Sequence, residues 1–119
     1  MASVFPVTRI YSDENGESRF EDIQIPLKDA GVIGSLSGIF PAKGIIFREV
    51  LPSYDYDFHN APQKQYIILL DGEIEIETSL GEIRRFSAGE VLLVEDTTGK
   101  GHRTKNVLPA KRKSIFITV

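Results

Sequence analysis

The chain has 119 residues and a mass of 13.3 kDa, which suffices for one hydrophobic core and not two. Apolar residues make up 41 % and charged residues 26 %, with no apolar run of about 18 residues and no cysteine; this excludes membrane-spanning helices, disulfide scaffolds, thiolate metal sites and cysteine nucleophiles. Seventeen acidic and 14 basic residues leave a net charge of −3, which argues against a nucleic-acid partner.

The chain opens on MASVFPVTR, which has no basic region followed by an apolar stretch and a small-residue cleavage site. With no cysteine, this points to a cytoplasmic protein without a membrane partner. Short runs rich in Val, Ile, Phe and Tyr then follow one another between turn residues, the pattern of an all-β barrel or sandwich. Strands are expected at 7–11, 19–25, 45–50, 65–70, 72–78, 82–86, 91–94 and 114–119. The clearest alternation is Glu73-Ile74-Glu75-Ile76-Glu77, with carboxylates on one face and isoleucines on the other. Asp71-Gly72 suits a two-residue hairpin, so 65–70 is expected to pair antiparallel with 72–78. Leu80-Gly81 marks a second hairpin. No linker, repeat or low-complexity segment interrupts the 119 residues. They read as a single domain, with N-terminal strands in 1–40 and the barrel in 41–119.

Chemistry concentrates at a few places. Tyr54-Asp55-Tyr56-Asp57-Phe58-His59 gathers acid–base groups beside one of only two histidines. Arg48 interrupts the apolar run Ile45-Ile46-Phe47. If Ile46, Arg48 and Val50 face inward, its planar fork is placed to clamp a carboxylate or phosphate; with the opposite parity it is exposed. Of Glu95-Asp96, one faces the mouth of the lumen and the other solvent. Thr97-Thr98-Gly99-Lys100-Gly101 lacks the spacing of a phosphate loop and reads as a flexible lip. Lys111-Arg112-Lys113, with Lys100, Arg103 and Lys105 nearby, reads as a solvated strand edge.

The segment 44–106 resembles the cupins, small jelly-roll β-barrels with two sequence motifs. In the first motif, His59 falls on the first histidine, Ala61 on the second, Gln65 on the glutamate and Gly72 on the glycine. In a second register, Asp57, His59 and Gln63 take the His, His and Glu positions. The other motif opens at Gly89, and Gly99, His102 and Asn106 fit its second half, with Thr97 in place of proline and two extra residues between the halves. The resemblance implies an antiparallel jelly-roll barrel and, as in other small cupins, a homodimer. The family's three histidines and one glutamate are incomplete here. What remains for a metal is His59, Gln65 and His102, with Asp57 or Glu95 as a possible carboxylate and iron, nickel, manganese or zinc as the ion.

The function expected from this reading is a metal-assisted lyase, isomerase or oxygenase acting on a small polar metabolite. His59, His102 and Tyr56 would carry the chemistry, and Arg48, Gln63, Gln65 and Glu95 would hold the substrate. Phe47, Ile67, Leu69, Leu93 and Phe116 are the candidate apolar lining. The alternative is a metal-free cupin that binds a small ligand without turning it over.

Overall fold

The computed structural model describes residues 3–119; Met1 and Ala2, where the N-terminal reading begins, lie outside them. The described residues form twelve strands: β1 (Val4–Ser12), β2 (Ser18–Pro26), β3 (Lys28–Asp29), β4 (Ser35–Leu36), β5 (Gly44–Val50), β6 (Asp55–His59), β7 (Gln65–Leu69), β8 (Glu73–Thr78), β9 (Ile83–Ser87), β10 (Val91–Val94), β11 (His102–Asn106) and β12 (Arg112–Thr118). A single 3-10 turn, Gly31–Ile33, joins β3 to β4.

Two sheets enclose the core. The larger runs β2-β1-β10-β7-β12-β5 and the smaller β6-β11-β8-β9, while β3 and β4 pair by themselves. All pairings are antiparallel except β1 with β10, which is parallel. The architecture is thus an all-β jelly roll of two facing sheets, with no strand ladder closing them into one ring. Ile10, Leu69, Leu92 and Val94 from the larger sheet meet Ile74, Ile76 and Phe86 from the smaller. The alternation read in β8 is what the sheet uses: Ile74 and Ile76 are buried, and the intervening glutamates are only half-buried.

The two expected hairpins have different outcomes. Around Gly81 the chain turns back as expected, and β8 pairs with β9. Asp71-Gly72 does not make a hairpin. Residues 65–69 pair with β10 and β12, whereas 73–78 pair with β11 and β9, so this turn carries the chain from one sheet to the other. The local cause of the turn is as expected, since Gly72 has φ 70°. Its destination is set by tertiary contacts. Asp71 Oδ1 accepts the Lys113 N–H at 2.7 Å, and the Arg112 side chain packs where a Gly72 Cβ would point.

Four strands are not expected from the pattern: the two-residue β3 and β4, and β6 and β11, of which the last two are polar at the site. Their inward positions hold His59, His102 and Thr104 rather than aliphatic residues, so no hydrophobic alternation announces them.

Candidate functional site

A cavity of about 430 Å³ lies between the sheets. Its apolar wall is formed by residues such as Ile67, Leu69, Ile76, Val94 and Phe116, and its polar groups gather at two ends. Of the expected lining, Phe47 and Leu93 belong elsewhere. Phe47 is 76 % exposed, and Leu93 sits opposite Tyr66 and outside the cavity. Each lies one residue out of phase with the inward face of its strand.

At one end, His59 closes β6 and His102 opens β11, as directly opposed residues of an antiparallel pair. Their ring centroids are 4.6 Å apart with planes at 55°. Gly101 permits this approach. A Cβ on it would lie 2.2 Å from the His59 carbonyl oxygen, and its φ is 77°, so no other residue fits. The neighbouring Gly99 packs against the Gly16 backbone in the same way, and the Lys100 N–H donates to the Gly16 carbonyl at 2.8 Å. The segment read as a flexible lip is therefore pinned at both glycines.

Both imidazoles are held through Nδ1 by an oxygen. His59 Nδ1 lies 2.7 Å from the Asp57 carbonyl, and His102 Nδ1 lies 2.5 Å from Asp96 Oδ2. The Asp57 carbonyl only accepts, so His59 Nδ1 carries the donated proton; in both rings Nδ1 is engaged and Nε2 is the remaining nitrogen. Asp96 is fully buried; Ser18 Oγ donates to its Oδ2 at 2.9 Å, while its Oδ1 has no partner among the described residues. The Asp96 carbonyl accepts from the Ala61 N–H at 3.1 Å, which stitches the loop after β6 to the loop after β10. Burial holds the His59 imidazole below its ordinary pKa, helped by the neighbouring His102 and Arg48 and opposed by its bond to the Asp57 carbonyl.

Tyr56 stacks flat on His59, with centroids 3.6 Å apart and planes at 19°. Its ring covers the imidazole and fixes its orientation. Tyr54 meets Tyr56 edge-on at 6.5 Å. Beyond Tyr54 lies the other polar end. The Arg48 guanidinium sits 4.8 Å from the Tyr54 ring centre and 4.9 Å from that of Phe116, and the Arg112 guanidinium is 5.5 Å from Tyr54. Arg48 thus has the inward parity. Arg112 is only 2 % exposed, and its Nε donates to Asn106 Oδ1 at 3.0 Å. Burial, and then the adjacent Arg48, lower its pKa.

Several sequence readings are corrected here. Gln63 is exposed in the loop before β7 and lines no cavity. Glu95 points away from the lumen, pairing with Arg9 Nε at 2.5 Å and Lys64 Nζ at 3.7 Å. Asp57 is exposed, and only its carbonyl serves His59. The carboxylate of the site is Asp96. Lys111 and Lys113 are exposed, as a solvated edge requires, but Arg112 between them is buried in the cavity wall. Strand parity carries both missed signals: Asp96 continues the inward series Leu92, Val94, and Arg112 begins the inward series Ser114, Phe116. His59, His102, Tyr56, Arg48 and Gln65 do line one cavity.

No family model matches the chain, and no curated protein matches it in sequence. Solved structures do resemble it. Protein NMB1881 from Neisseria meningitidis superposes with a TM-score of 0.51 at 16 % identity, over 63 % of this chain and 71 % of that one. Drosophila melanogaster CENP-C bound to CAL1 gives 0.51 at 13 %, over 94 % and 76 %. The CENP-C cupin domain of the same species gives 0.48 at 15 %, over 78 % and 75 %. By the match to CENP-C at 0.51, the chain shares the fold of that protein, whose domain is described as a cupin domain. At such identities the likeness extends to the fold alone, and a cupin fold hosts many unrelated activities.

The donors that a metal would meet in this cavity are His59 Nε2, His102 Nε2 and Gln65 Oε1, the last buried and without a partner among the described residues. None of the three is a carboxylate or thiolate. No group of three or more His, Cys, Asp or Glu among the described residues is placed to hold a metal ion. The one buried carboxylate is turned to His102 Nδ1 and Ser18, and two guanidiniums share the cavity. Two imidazoles and one amide oxygen, in a cavity also lined by two guanidiniums, make a weaker set for a divalent cation than one that includes a carboxylate or a third imidazole.

Proposed function

We propose that this cupin-fold protein binds a small molecule between its sheets and moves a proton on it through His102, as an isomerase or lyase of small metabolites would. The observation that supports this is the buried Asp96–His102 pair, opposed to His59 at one end of the cavity. Asp96 fixes the tautomer and orientation of His102, stabilises the imidazolium that forms, and leaves Nε2 as the base. The neutral His59 beside it disfavours a second positive charge and serves as a hydrogen-bonding partner to the ligand.

Exchange of protons α to a carbonyl tests the reading. In deuterated water, wild-type protein should speed exchange in one or more small carbonyl compounds that bind it. His102→Gln should abolish that exchange and retain binding. Compounds that bind and shift the imidazole signals without exchange would replace the catalytic reading by the non-catalytic ligand-binding one.

We further propose a homodimer formed through the outer face of the larger sheet. Ile45 and Phe47 on β5 are 55 % and 76 % exposed, and Val32 and Ile39 in the segment before it are fully or almost fully exposed. A patch of this kind is uncommon on a monomer. Light scattering should give twice the chain mass, and Phe47→Glu should return it to that of one chain. A wild-type monomer at all concentrations refutes the dimer.

A further inference from the structure

Arg48 and Arg112 reach the same cavity from neighbouring positions of one sheet. Arg112 lies opposite Val50 in the β5–β12 ladder, and Ser114 lies opposite Arg48, so both arginines occupy the inward face two residues apart in register. Tyr54 packs against both guanidiniums. Neither guanidinium has an ion-pair partner among the described residues. Arg112 makes one side-chain hydrogen bond, from Nε to the neutral Asn106, and Arg48 makes none.

Elsewhere the chain treats its arginines differently. Arg9, Arg19, Arg84, Arg85 and Arg103 are all more exposed than Arg112, and each is paired with a carboxylate. The most buried arginine thus has no ion-pair partner; Asp71 acts on it only at longer range, and burial and the like charge of Arg48 outweigh that attraction. A buried charge without a counter-charge is strongly unfavourable, and two forks facing one space suit the oxygens of a carboxylate or phosphate. Asn106 holds Arg112 in place: its Oδ1 accepts from the Nε N–H while its Nδ2 donates to the Leu51 carbonyl at 3.1 Å, so the outer nitrogens of the fork remain for a ligand.

We infer that the ligand of this cavity is a small organic oxyanion, held by Arg48 and Arg112 at one end so that its remaining atoms extend along the Tyr54–Tyr56 wall to His59 and His102. This inference rests on the cavity being a ligand site and adds the charge and polarity of the occupant. It explains why the site sets two cations against a histidine end whose His59 is kept neutral.

Calorimetric and NMR titrations of the full chain at constant ionic strength test it, with malonate, inorganic phosphate and uncharged malonamide as probes. Saturable binding of malonate or phosphate is expected, with no binding of malonamide. Arg48→Met should weaken the anion at least tenfold without unfolding the protein, because Arg48 is half-exposed. Arg48→Lys should recover only part of the loss, since it restores the charge and not the fork. Malonate without phosphate assigns a carboxylate ligand, and the reverse a phosphate. Anion binding that Arg48→Met leaves unchanged would place it on the exposed lysines and overturn the inference. If only malonamide binds and shifts the His59 and His102 signals, the cavity stands as a ligand site and the oxyanion does not. If no probe binds and none alters those signals, both readings fall.

Discussion

The two ends of the cavity solve the burial of charge in opposite ways. At the histidine end each imidazole has an oxygen partner supplied by the chain: Asp96, itself bonded by Ser18, to His102, and the Asp57 carbonyl to His59. At the arginine end two cations share one space with a single neutral amide. The first arrangement sets a carboxylate against an imidazole and orients a base. The second is incomplete as folded and acquires its counter-charge from outside. The difference separates a group that acts from a group that binds.

The largest effect should come from Gly101, on which the histidine end depends. Gly101→Ala sets a methyl group against the His59 carbonyl and should cost more than about 3 kcal/mol, or prevent folding. Denaturant unfolding checks this. The same substitution at Gly81, where nothing lies within 4 Å of the added carbon, meets only the φ of 86° and should cost about 1 kcal/mol.

Removing one charge from each end should then give opposite signs. Asp96→Ala strands His102 Nδ1 and Ser18 and should lower stability by about 3 kcal/mol. Arg48→Met relieves Arg112 of its like charge and should leave the melting temperature unchanged or raise it. If both variants are destabilised equally, the contrast between the ends is wrong.

Elemental analysis of untagged protein sharpens the histidine end. Two imidazoles and one amide, with no carboxylate turned to them, predict transition metal well below one equivalent per chain. A stoichiometric metal that disappears in the His59→Ala/His102→Ala double variant would make the site a metal centre.

The smallest effect concerns pH. Burial holds the folded His59 below its ordinary value of 6.5, so below that pH the unfolded chain binds more protons than the folded one. The stability contributed by neutral His59 is complete above pH 6.5. It is lost as pH falls from there through the folded pKa, and then levels off. His59→Asn should flatten this segment of the stability curve, and an unchanged curve would place the shift elsewhere.

Much of the strand inventory was legible, because aliphatic residues at a period of two announce half-buried strands, as in β8. Strands β6 and β11 were not, because their inward residues are the polar groups of the site. The motif spacing brought out His59, Gln65 and His102 as neighbours, and the structure places all three in one cavity. Arg112 was read with its lysine neighbours as a solvated edge, since a run of three cations looks uniform until strand parity turns the middle one inward.

From its own order of residues, this chain determined that it is an all-β protein with glycine-pinned turns and two histidines on jelly-roll motif positions. Local sterics and period-two patterning act within a few residues, so they can be read there. Only the tertiary structure decided that Asp71-Gly72 crosses between sheets, that Asp96 rather than Asp57 or Glu95 serves His102, and that Arg48 and Arg112 share one space. Those outcomes depend on which strands become neighbours, and pairing between segments tens of residues apart is settled by packing the whole core at once.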